Sequence, residues 1–170
     1  DEAWIGEHHS SGWEIISSPE LFIAAAAERT TKIKLGTGVI SLPYHHPLMV
    51  ANRMAQLDHM TRGRVLFGVG PGALASVTHM LGIDEILKRD RMDEALGIIL
   101  RLFTESDPIT YKSDWFELND ALMQIKPYQS PYMPVAVSSI LSPSGVALAG
   151  KHGTAVLSIT VPRDPSKDEI

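Results

Sequence analysis

A carboxylate and two imidazoles closely follow a short apolar segment near the start of the chain. The segment is Ala3-Trp4-Ile5, and Glu7, His8 and His9 come after one intervening glycine. A short apolar run that ends in polar residues indicates a β-strand. Because the carboxyl ends of parallel strands face the ligand in α/β proteins, these titratable groups are candidates for acid–base chemistry. A histidine pair on the surface or at a cap is the competing interpretation.

The same part of the chain contains residue types that suit a metal ion. The possible ligands are Glu7, His8, His9, His45 and His46. Carboxylates and imidazoles are common metal ligands, but adjacent histidines on a strand point to opposite faces. Each histidine pair therefore offers at most one inward ligand, and no His-x3-His spacing supports a helical site. The sequence predicts no metal centre.

Length, charge and cysteine content limit the class of protein. The chain has 170 residues, enough for one domain with a sizeable core. Its formal net charge of −5 gives no electrostatic footprint for nucleic acid or an anionic membrane. No segment approaches the roughly 20 apolar residues of a membrane span. The absence of cysteine excludes a disulfide framework, a thiolate zinc site and a thiol nucleophile. We expect a single domain over residues 1–170 in the reducing cytoplasm.

The apolar pattern predicts a repeated unit in which a strand is followed by a helix. Strands are predicted at residues 3–7, 33–40, 65–69, 134–138 and 155–159. Helices are predicted at residues 19–29, 47–61, 85–102 and 142–152. Ser18, Asp84 and Ser142 are the expected N-caps, and Gly63 is the expected left-handed C-cap. Successive strand–helix units indicate a parallel sheet with crossover helices.

Two segments depart from this repeat. Residues 104–130 interrupt it, and the turn-like Asn119-Asp120 within them predicts a hairpin. Residues 161–170 are polar, and we expect a frayed tail. The core is therefore expected over residues 3–160. Because Asp1 stands almost inside the first apolar element, we also expect the chain to be a piece of a longer protein.

Glycines lie at the ends of two predicted strands. Gly36 and Gly38 interrupt the strand at 33–40, and glycine inside a strand usually marks a bulge or a close approach of ligand or backbone. The segment 68–72, Gly-Val-Gly-Pro-Gly, is similar to a phosphate cradle. Its spacing is not Gly-x-Gly-x-x-Gly, however, and Pro71 has no N–H to donate. A turn without a ligand is the competing interpretation.

Taken together, the motifs resemble those of the bacterial-luciferase-like family of flavin-dependent monooxygenases, especially its limonene-monooxygenase-like and alkanal-monooxygenase-like members. The matching motifs are Trp-Ile-Gly-Glu-His-His at 4–9, Leu-Gly-Thr-Gly-Val at 35–39, His-Pro at 46–47, Gln-Leu-Asp at 56–58, Gly-Arg at 63–64, Phe-Gly-Val-Gly at 67–70, Asp-Arg-Met-Asp-Glu at 90–94 and Trp-Phe at 115–116. The resemblance covers residues 3–160 in the family's order.

This resemblance implies a fold and an activity. The implied fold is α/β, a (β/α)8 TIM barrel. The implied activity is oxygenation of a small hydrophobic organic substrate by reduced FMN and O2. The family's barrel has eight strands, whereas this chain supplies about five, beginning at the second. We therefore expect a partial barrel.

The resemblance also assigns roles to residues near the flavin ring. His8 corresponds to the family's active-site histidine, whose imidazole titrates near neutral pH and can move a proton. A polar residue behind the site is the alternative for His8. Glu7 is expected to orient a neighbour or pair with an arginine, and His9 to be structural. Gly38 and Val39 match a non-prolyl cis peptide beneath the ring in several family members, with a trans glycine bulge as the alternative.

The implied phosphate site differs from that of some relatives. Some family members have an arginine at the position of Pro71, so Gly70 and Gly72 lack that cationic partner here. Ser142 and Ser144 are predicted to replace it, because exposed N–H groups and the helix dipole attract anions at a helix N-terminus. Ordinary N-capping by Ser142 is the competing account.

Partners and alternative functions follow from the same resemblance. A separate NAD(P)H-dependent reductase is expected to supply the reduced FMN, and the complete protein is expected to be a homo-oligomer. The alternatives are a deazaflavin-dependent dehydrogenase that uses no O2, a non-catalytic flavin-binding protein, or an inactive fragment. A hydrophobic pocket could involve Trp13, Met54, Met60 and Met80, although core packing is the preferred role for each.

Overall fold

The computed structural model describes residues 1–12, 14–139 and 143–158. The strands are β1 Glu2–Ile5, β2 Lys34–Thr37, β3 Ile40–Ser41, β4 Val65–Gly70, β5 Ile109–Lys112, β6 Glu117–Ala121, β7 Val135–Ser139 and β8 Ala155–Ser158. The α-helices are α1 Pro19–Ala27, α2 Pro47–Thr61, α3 Ala75–Leu81, α4 Lys88–Thr104 and α5 Pro143–His152. Short 3-10 helices cover Leu42–Tyr44 and Glu85–Leu87.

The central sheet is parallel and curls into half of a barrel. Its strand order is β1-β2-β4-β7-β8, and β3 pairs with the carboxyl half of β4. Every pair in it is parallel, and helices connect most of the successive strands. The predicted α/β partial barrel is therefore confirmed. Within the described residues β1 and β8 pair on one side only, so both edges of the half-barrel are open.

The predicted strand at 33–40 is two strands in the structure. Leu35 of β2 pairs with Val65, whereas Ile40 of β3 pairs with Val69, so the β2–β3 segment contains one residue more than the stretch of β4 that it follows. An extra residue of this kind is a bulge, and it bends the chain at Gly38. The irregularity expected at Gly36 and Gly38 is therefore confirmed, although the division of the segment into two strands was not predicted.

Glycines without a side chain allow β1, β2 and β4 to approach each other closely around the Trp4 ring. A Cβ added at Gly36 would lie 2.4 Å from Cε3 of the Trp4 ring. A Cβ added at Gly68 would lie 2.0 Å from the Thr37 carbonyl oxygen. The Thr37 hydroxyl uses this proximity, because it donates to the Gly68 carbonyl at 2.8 Å and accepts from the Gly68 N–H at 2.9 Å. A side chain thus continues the β2–β4 ladder beyond its last backbone pair.

The helices cover the sheet with one apolar cluster and are anchored by polar contacts at their ends. Phe67, Met54 and Leu96 are fully buried representatives from β4, α2 and α4. Burial of side chains of this size stabilises the fold by about 1.5–3 kcal/mol each.

At the amino-terminal side of the sheet the Arg64 guanidinium donates to Thr30 Oγ1 and to three carbonyls, of Ala27, Ile33 and Thr61, at 2.9–3.1 Å. It therefore satisfies carbonyls at the carboxyl ends of α1 and α2.

Helix boundaries differ from the predictions at several points. The helix predicted over 85–102 begins as a 3-10 turn, and the Asp84 side chain caps that turn by accepting from the Ile86 N–H at 2.9 Å. Ser18 precedes α1 without a side-chain cap hydrogen bond. The left-handed C-cap of α2 is Arg62 rather than Gly63, although Gly63 is left-handed too. Helix α3 was not predicted.

The interruption of the repeat contains the predicted hairpin, but the turn predicted at Asn119 and Asp120 was wrong, because both residues lie in β6 and the strands are connected by residues 113–116. Strands β5 and β6 form a separate antiparallel sheet of two strands. The hairpin packs on the outer helix α4, where the Glu94 carboxylate accepts from Tyr111 Oη at 2.7 Å and from Trp115 Nε1 at 2.5 Å. The predicted tail at 161–170 and Ile159 lie outside the described residues. No described helix has the length and apolar content needed to cross a membrane.

The contact between β2 and β4 gives a test of the fold. We expect Gly68→Ala in the full-length protein to lower the free energy of unfolding by about 3 kcal/mol, because its Cβ would meet the backbone of Thr37. Urea unfolding followed by circular dichroism measures the loss. Gly150→Ala in α5 is the control, since nothing lies within 4 Å of the added Cβ there. Helix propensity predicts that the control gains roughly 0.5–1 kcal/mol. Equal stabilities of the two variants would contradict the packing described.

The open edges of the half-barrel give a second test. A polypeptide of these 170 residues alone leaves β1 and β8 without outer partners among the described strands. Parallel sheets are normally covered and closed, and a complete barrel of this type takes about 250 residues. We expect the isolated polypeptide to aggregate or to unfold without a sharp transition. Size-exclusion chromatography and thermal unfolding, with the full-length protein as control, would show this. A monomer that melts cooperatively would disprove it.

Candidate active site

The polar groups singled out after β1 lie at the carboxyl end of the sheet, beside the β2–β3 bend. A Cβ added at Gly6 would lie 2.8 Å from Glu14 Oε2, 3.2 Å from His8 Cε1 and 3.3 Å from the Gly38 carbonyl oxygen. The His8 imidazole and the Gly38 peptide are therefore neighbours. His8 Nδ1 lies 2.9 Å from Glu14 Oε2, and its backbone N–H donates to the Ile16 carbonyl at 2.9 Å. The segment after β1 thus holds the imidazole from both backbone and side chain.

The Glu7 carboxylate is buried, with its side chain 1% exposed. Its Oε2 accepts from the Ser41 N–H at 2.7 Å. Its Oε1 lies 2.7 Å from His45 Nε2 and 2.9 Å from His9 Nε2. The expectation that Glu7 orients a neighbouring group agrees with this geometry, but its partners are two histidines and not an arginine. His9 has the structural contact expected of it.

The ionisation of Glu7 reflects a competition between burial and hydrogen bonding. Burial alone would raise the pKa of the carboxyl, because it disfavours the charged form. The hydrogen bonds and charge of His45, the Ser41 N–H and the hydrogen bond of His9 outweigh burial and hold the pKa below its ordinary value of 4.5. The carboxylate is therefore ionised at neutral pH, and it orients Nε2 of both imidazoles toward itself.

Val39, Gly70 and Ser138 come together where β3, β4 and β7 end. A Cβ added at Gly70 would lie 2.6 Å from Val39 Cγ2 and 2.7 Å from Ser138 Oγ. The space beside Gly70 is thus bounded by one apolar and one hydroxyl group. The peptide bond between Gly38 and Val39 is cis, which decides between the two alternatives raised by the resemblance.

The N-terminus of α5 meets the end of β7. A Cβ added at Gly145 would lie 2.8 Å from the Ser138 carbonyl oxygen and 3.0 Å from Ser139 Oγ. Ser144 in the first turn of α5 contacts the guanidinium of Arg89, which comes from the first turn of α4. Ser142 lies outside the described residues. The arrangement brings together hydroxyl groups, a helix N-terminus and the guanidinium of Arg89, which are groups that suit an anion. Arg89 thus offers the positive charge that Pro71 lacks.

Gly72 lies on the other side of the β4 end. Its carbonyl accepts from Lys88 Nζ at 3.0 Å, and Lys88 Nζ also lies 2.6 Å from Glu85 Oε2. A Cβ added at Gly72 would lie 2.0 Å from Tyr44 Oη, and the φ of Gly72 is +83°. Gly72 therefore packs against Tyr44, whereas Gly70 packs against Val39 and Ser138. The cradle predicted from these glycines stays a prediction.

Several groups of this region were not singled out from the sequence. They are Glu14, Ser41, Tyr44, Arg89, Ser138 and Ser139. Tyr44 carried one usable signal, its position directly before the second histidine pair. Arg89 and Ser138 carried none, since their relevance depends on packing between elements more than 40 residues apart. Their contacts arise from the half-barrel, which brings distant strand ends together.

The remaining predictions concern metals and pocket residues. Among residues 1–12, 14–139 and 143–158 no group of three or more histidine, aspartate or glutamate residues is arranged to hold a metal ion. Met54 is a core residue, as preferred, whereas Met60 and Met80 are exposed and do not pack in the core. Trp13 lies outside the described residues.

A family profile and several known monooxygenases match this chain. A profile of the family described as luciferase-like monooxygenase matches residues 1–170. The chain is 57% identical over 165 residues to 4-hydroxyprotoasukamycin monooxygenase of Streptomyces nodosus subsp. asukaensis, which covers 97% of this chain and 44% of that protein. It is 52% identical over 158 residues to limonene 1,2-monooxygenase of Rhodococcus erythropolis, which covers 93% of this chain and 40% of that protein.

A solved structure agrees with these matches. The fold superimposes with a TM-score of 0.83 and 30% identity on the oxygenating constituent of 3,6-diketocamphane monooxygenase from Pseudomonas putida, a type II Baeyer–Villiger monooxygenase in complex with FMN. The superposition covers 94% of this chain and 48% of that one. The chain thus spans less than half the length of each of these three proteins.

The buried carboxylate makes stability depend on pH in a defined direction. Because the folded-state pKa of Glu7 lies below 4.5, its contribution is present above the unfolded pKa and is lost as the pH falls through the folded pKa. We expect Glu7→Gln in the full-length protein to cost about 2–3 kcal/mol at pH 7. Below pH 4.5 the wild-type and variant curves should converge.

Chemical denaturation at a series of pH values measures both effects. Glu105→Gln is the control, because that carboxylate is exposed and its side chain pairs with Arg101 one helical turn earlier. The control should remain close to wild type at pH 7. A Glu7→Gln variant whose stability runs parallel to wild type at every pH would show that Glu7 is not held ionised by its partners.

Proposed function

Since the chain belongs to the luciferase-like monooxygenase family, we propose that the complete protein is a flavin-dependent monooxygenase that uses reduced FMN and O2. The observation that carries this proposal is the position of His8 beside the Gly38–Val39 peptide, at the carboxyl end of a parallel half-barrel. This position places a proton-transfer group beside the backbone of Gly38 and near Val39. That combination suits a flavin ring and its substrate.

The residues at the strand ends fit the parts of FMN. Val39 Cγ2 and Ser138 Oγ lie so close to Gly70 that an added Cβ would come within 2.7 Å of both, and we propose that these three residues form one wall of the flavin site. For the phosphate we propose the α5 N-terminus with Ser144, assisted by Arg89. Ser142, Gly70 and Gly72 remain predicted cofactor residues, with Gly72 reaching the ligand from the side of Tyr44.

The protein groups would bind the cofactor, orient it and move protons. Bound reduced flavin supplies the reaction with O2. Glu14 beside Nδ1 orients the His8 ring, and Nε2 is then the nitrogen that exchanges a proton with the ligand. Glu7 holds His9 and His45 in place and so fixes the loop after β3. The complete site must also exclude water. Part of the wall that does so would be formed by the strands that complete the barrel.

The partners follow from the same proposal. The FMN-bound neighbour is described as the oxygenating constituent of its enzyme, which supports a separate reducing partner for this protein too. We propose an NAD(P)H-dependent flavin reductase as that partner, a small hydrophobic organic substrate, a homo-oligomeric complete protein and a cytoplasmic location.

The function is tested with the full-length protein and its His8→Ala variant. We expect wild type to bind reduced FMN in an anaerobic fluorescence titration. It should also incorporate 18O from 18O2 into limonene or cyclohexanone, used as probe substrates and followed by mass spectrometry. The variant should keep the flavin affinity and lose roughly 10²–10⁴-fold in rate, the usual contribution of a positioned acid–base group.

His59→Ala is the matched control, because this exposed imidazole lies on α2 and contacts only the Lys126 carbonyl and the Tyr128 ring among the interactions described. It should retain the wild-type rate. Absence of flavin binding by wild type would refute the proposed function. Binding of a deazaflavin with no consumption of O2 would favour the dehydrogenase instead. Full activity of His8→Ala together with loss of activity in His9→Ala would reverse the roles of the two histidines.

A further inference from the structure

The hydroxyl of Tyr44 is a buried hydrogen-bond donor with no acceptor in the part of the chain that the structure describes. Tyr44 ends the 3-10 helix Leu42–Tyr44, directly before His45. Its Oη is fully buried and has no hydrogen-bond partner among the described residues. Tyr111, by contrast, donates its hydroxyl to Glu94 at 2.7 Å. A buried donor without an acceptor costs about 1–3 kcal/mol, so such a group needs an acceptor from a ligand, an ion or a water molecule.

The segment that covers this hydroxyl offers it no acceptor. Gly72 packs against Oη so closely that an added Cβ would lie 2.0 Å away. The Gly72 carbonyl is directed to Lys88 Nζ at 3.0 Å. On another side the His9 ring meets the Tyr44 ring edge-on, with centroids 6.3 Å apart, while His9 Nε2 is engaged by Glu7. The groups around Oη are therefore close to it but already bonded elsewhere.

The surrounding charges determine which kind of ligand atom can accept this hydrogen bond. Burial, together with the negative charges of Glu7 and Glu85, raises the pKa of Tyr44 to about 12, so the phenol stays protonated and acts as a donor. Lys88 lies in this neighbourhood as well, but it is paired with Glu85 at 2.6 Å. A phosphate or carboxylate at Oη would be repelled by the two carboxylates. A neutral oxygen would not.

We propose that Tyr44 recognises a neutral carbonyl or hydroxyl oxygen of the ligand that binds at the carboxyl ends of β1, β3 and β4. Oη donates the hydrogen bond, and the ligand oxygen takes the place next to it that Gly72 now fills. This proposal rests on the proposed function, because the oxygen belongs either to the flavin, through a ring carbonyl or ribityl hydroxyl, or to the organic substrate. In both cases Tyr44 is a recognition residue and transfers no proton.

The test compares Tyr44→Phe with Tyr111→Phe in the full-length protein. Both changes remove one phenolic oxygen, but only Tyr111 has a partner in the structure. The probes are reduced FMN, cyclohexanone and its hydrocarbon counterpart methylenecyclohexane, each titrated separately. We expect Tyr44→Phe to weaken the binding of FMN or of cyclohexanone roughly 3- to 10-fold, as expected for one neutral hydrogen bond, and to leave methylenecyclohexane unchanged. Tyr111→Phe should change none of them.

The pattern of losses identifies the source of the oxygen. Weaker FMN binding assigns it to the flavin, and weaker cyclohexanone binding with unchanged FMN binding assigns it to the substrate. Thermal unfolding without ligand gives a separate measurement: Tyr44→Phe should keep or raise the wild-type midpoint, whereas Tyr111→Phe should lower it. The proposal is overturned if Tyr44→Phe changes no titration, or if it lowers the midpoint as much as Tyr111→Phe. Failure of wild type to bind FMN would refute the proposed function, while the cyclohexanone and unfolding measurements would still decide on Tyr44.

Discussion

One buried carboxylate, that of Glu7, fixes the geometry of the candidate site. A charge removed from water is tolerated only when its lone pairs are matched by donors. Glu7 meets this condition with the Ser41 N–H and the His45 ring, which lie 34 and 38 residues further along the chain. Satisfying a single charge therefore sets the position of the loop after β3 relative to the end of β1. The start of α2 follows directly, because His46 is its N-cap.

Beneath this network the sheet is held by close approach rather than by long strands. β2 and β4 share only two backbone-paired positions, and the Thr37 hydroxyl extends the contact to Gly68. The Trp4 ring fills the space that Gly36 and Gly68 leave free. Because interiors pack at crystal-like density, such a contact admits little adjustment. The strand ends that carry His8 and Val39 are consequently fixed relative to each other.

The repeated unit of strand and helix was predictable because it depends on local patterns. The apolar runs located β4, β7 and β8 to within a residue or two, and Pro47 marked the start of α2. Gly36 and Gly38 indicated an irregularity in the second strand, but its division into β2 and β3 was not predictable, since it reflects a register difference of one residue against β4. Chemical type identified Glu7 and His8 as candidates. Their partners His45 and Glu14 could not be assigned, because no pattern records which loops a curled sheet brings together.

The β5–β6 hairpin has a consequence for how proteins of this kind diversify. It is a sheet of its own inserted between α4 and β7, yet it reaches the site: the Phe116 ring packs edge-on against His46 with centroids 5.7 Å apart, and His46 Nε2 lies 3.4 Å from the Glu117 carbonyl oxygen. His46 adjoins His45, which is bonded to Glu7. A change at Phe116 or Glu117 therefore acts on His46 and, through the adjoining His45, on the surroundings of Glu7. Variation of this inserted hairpin is thus a route by which the scaffold behind the imidazoles can be altered without any change in the central sheet.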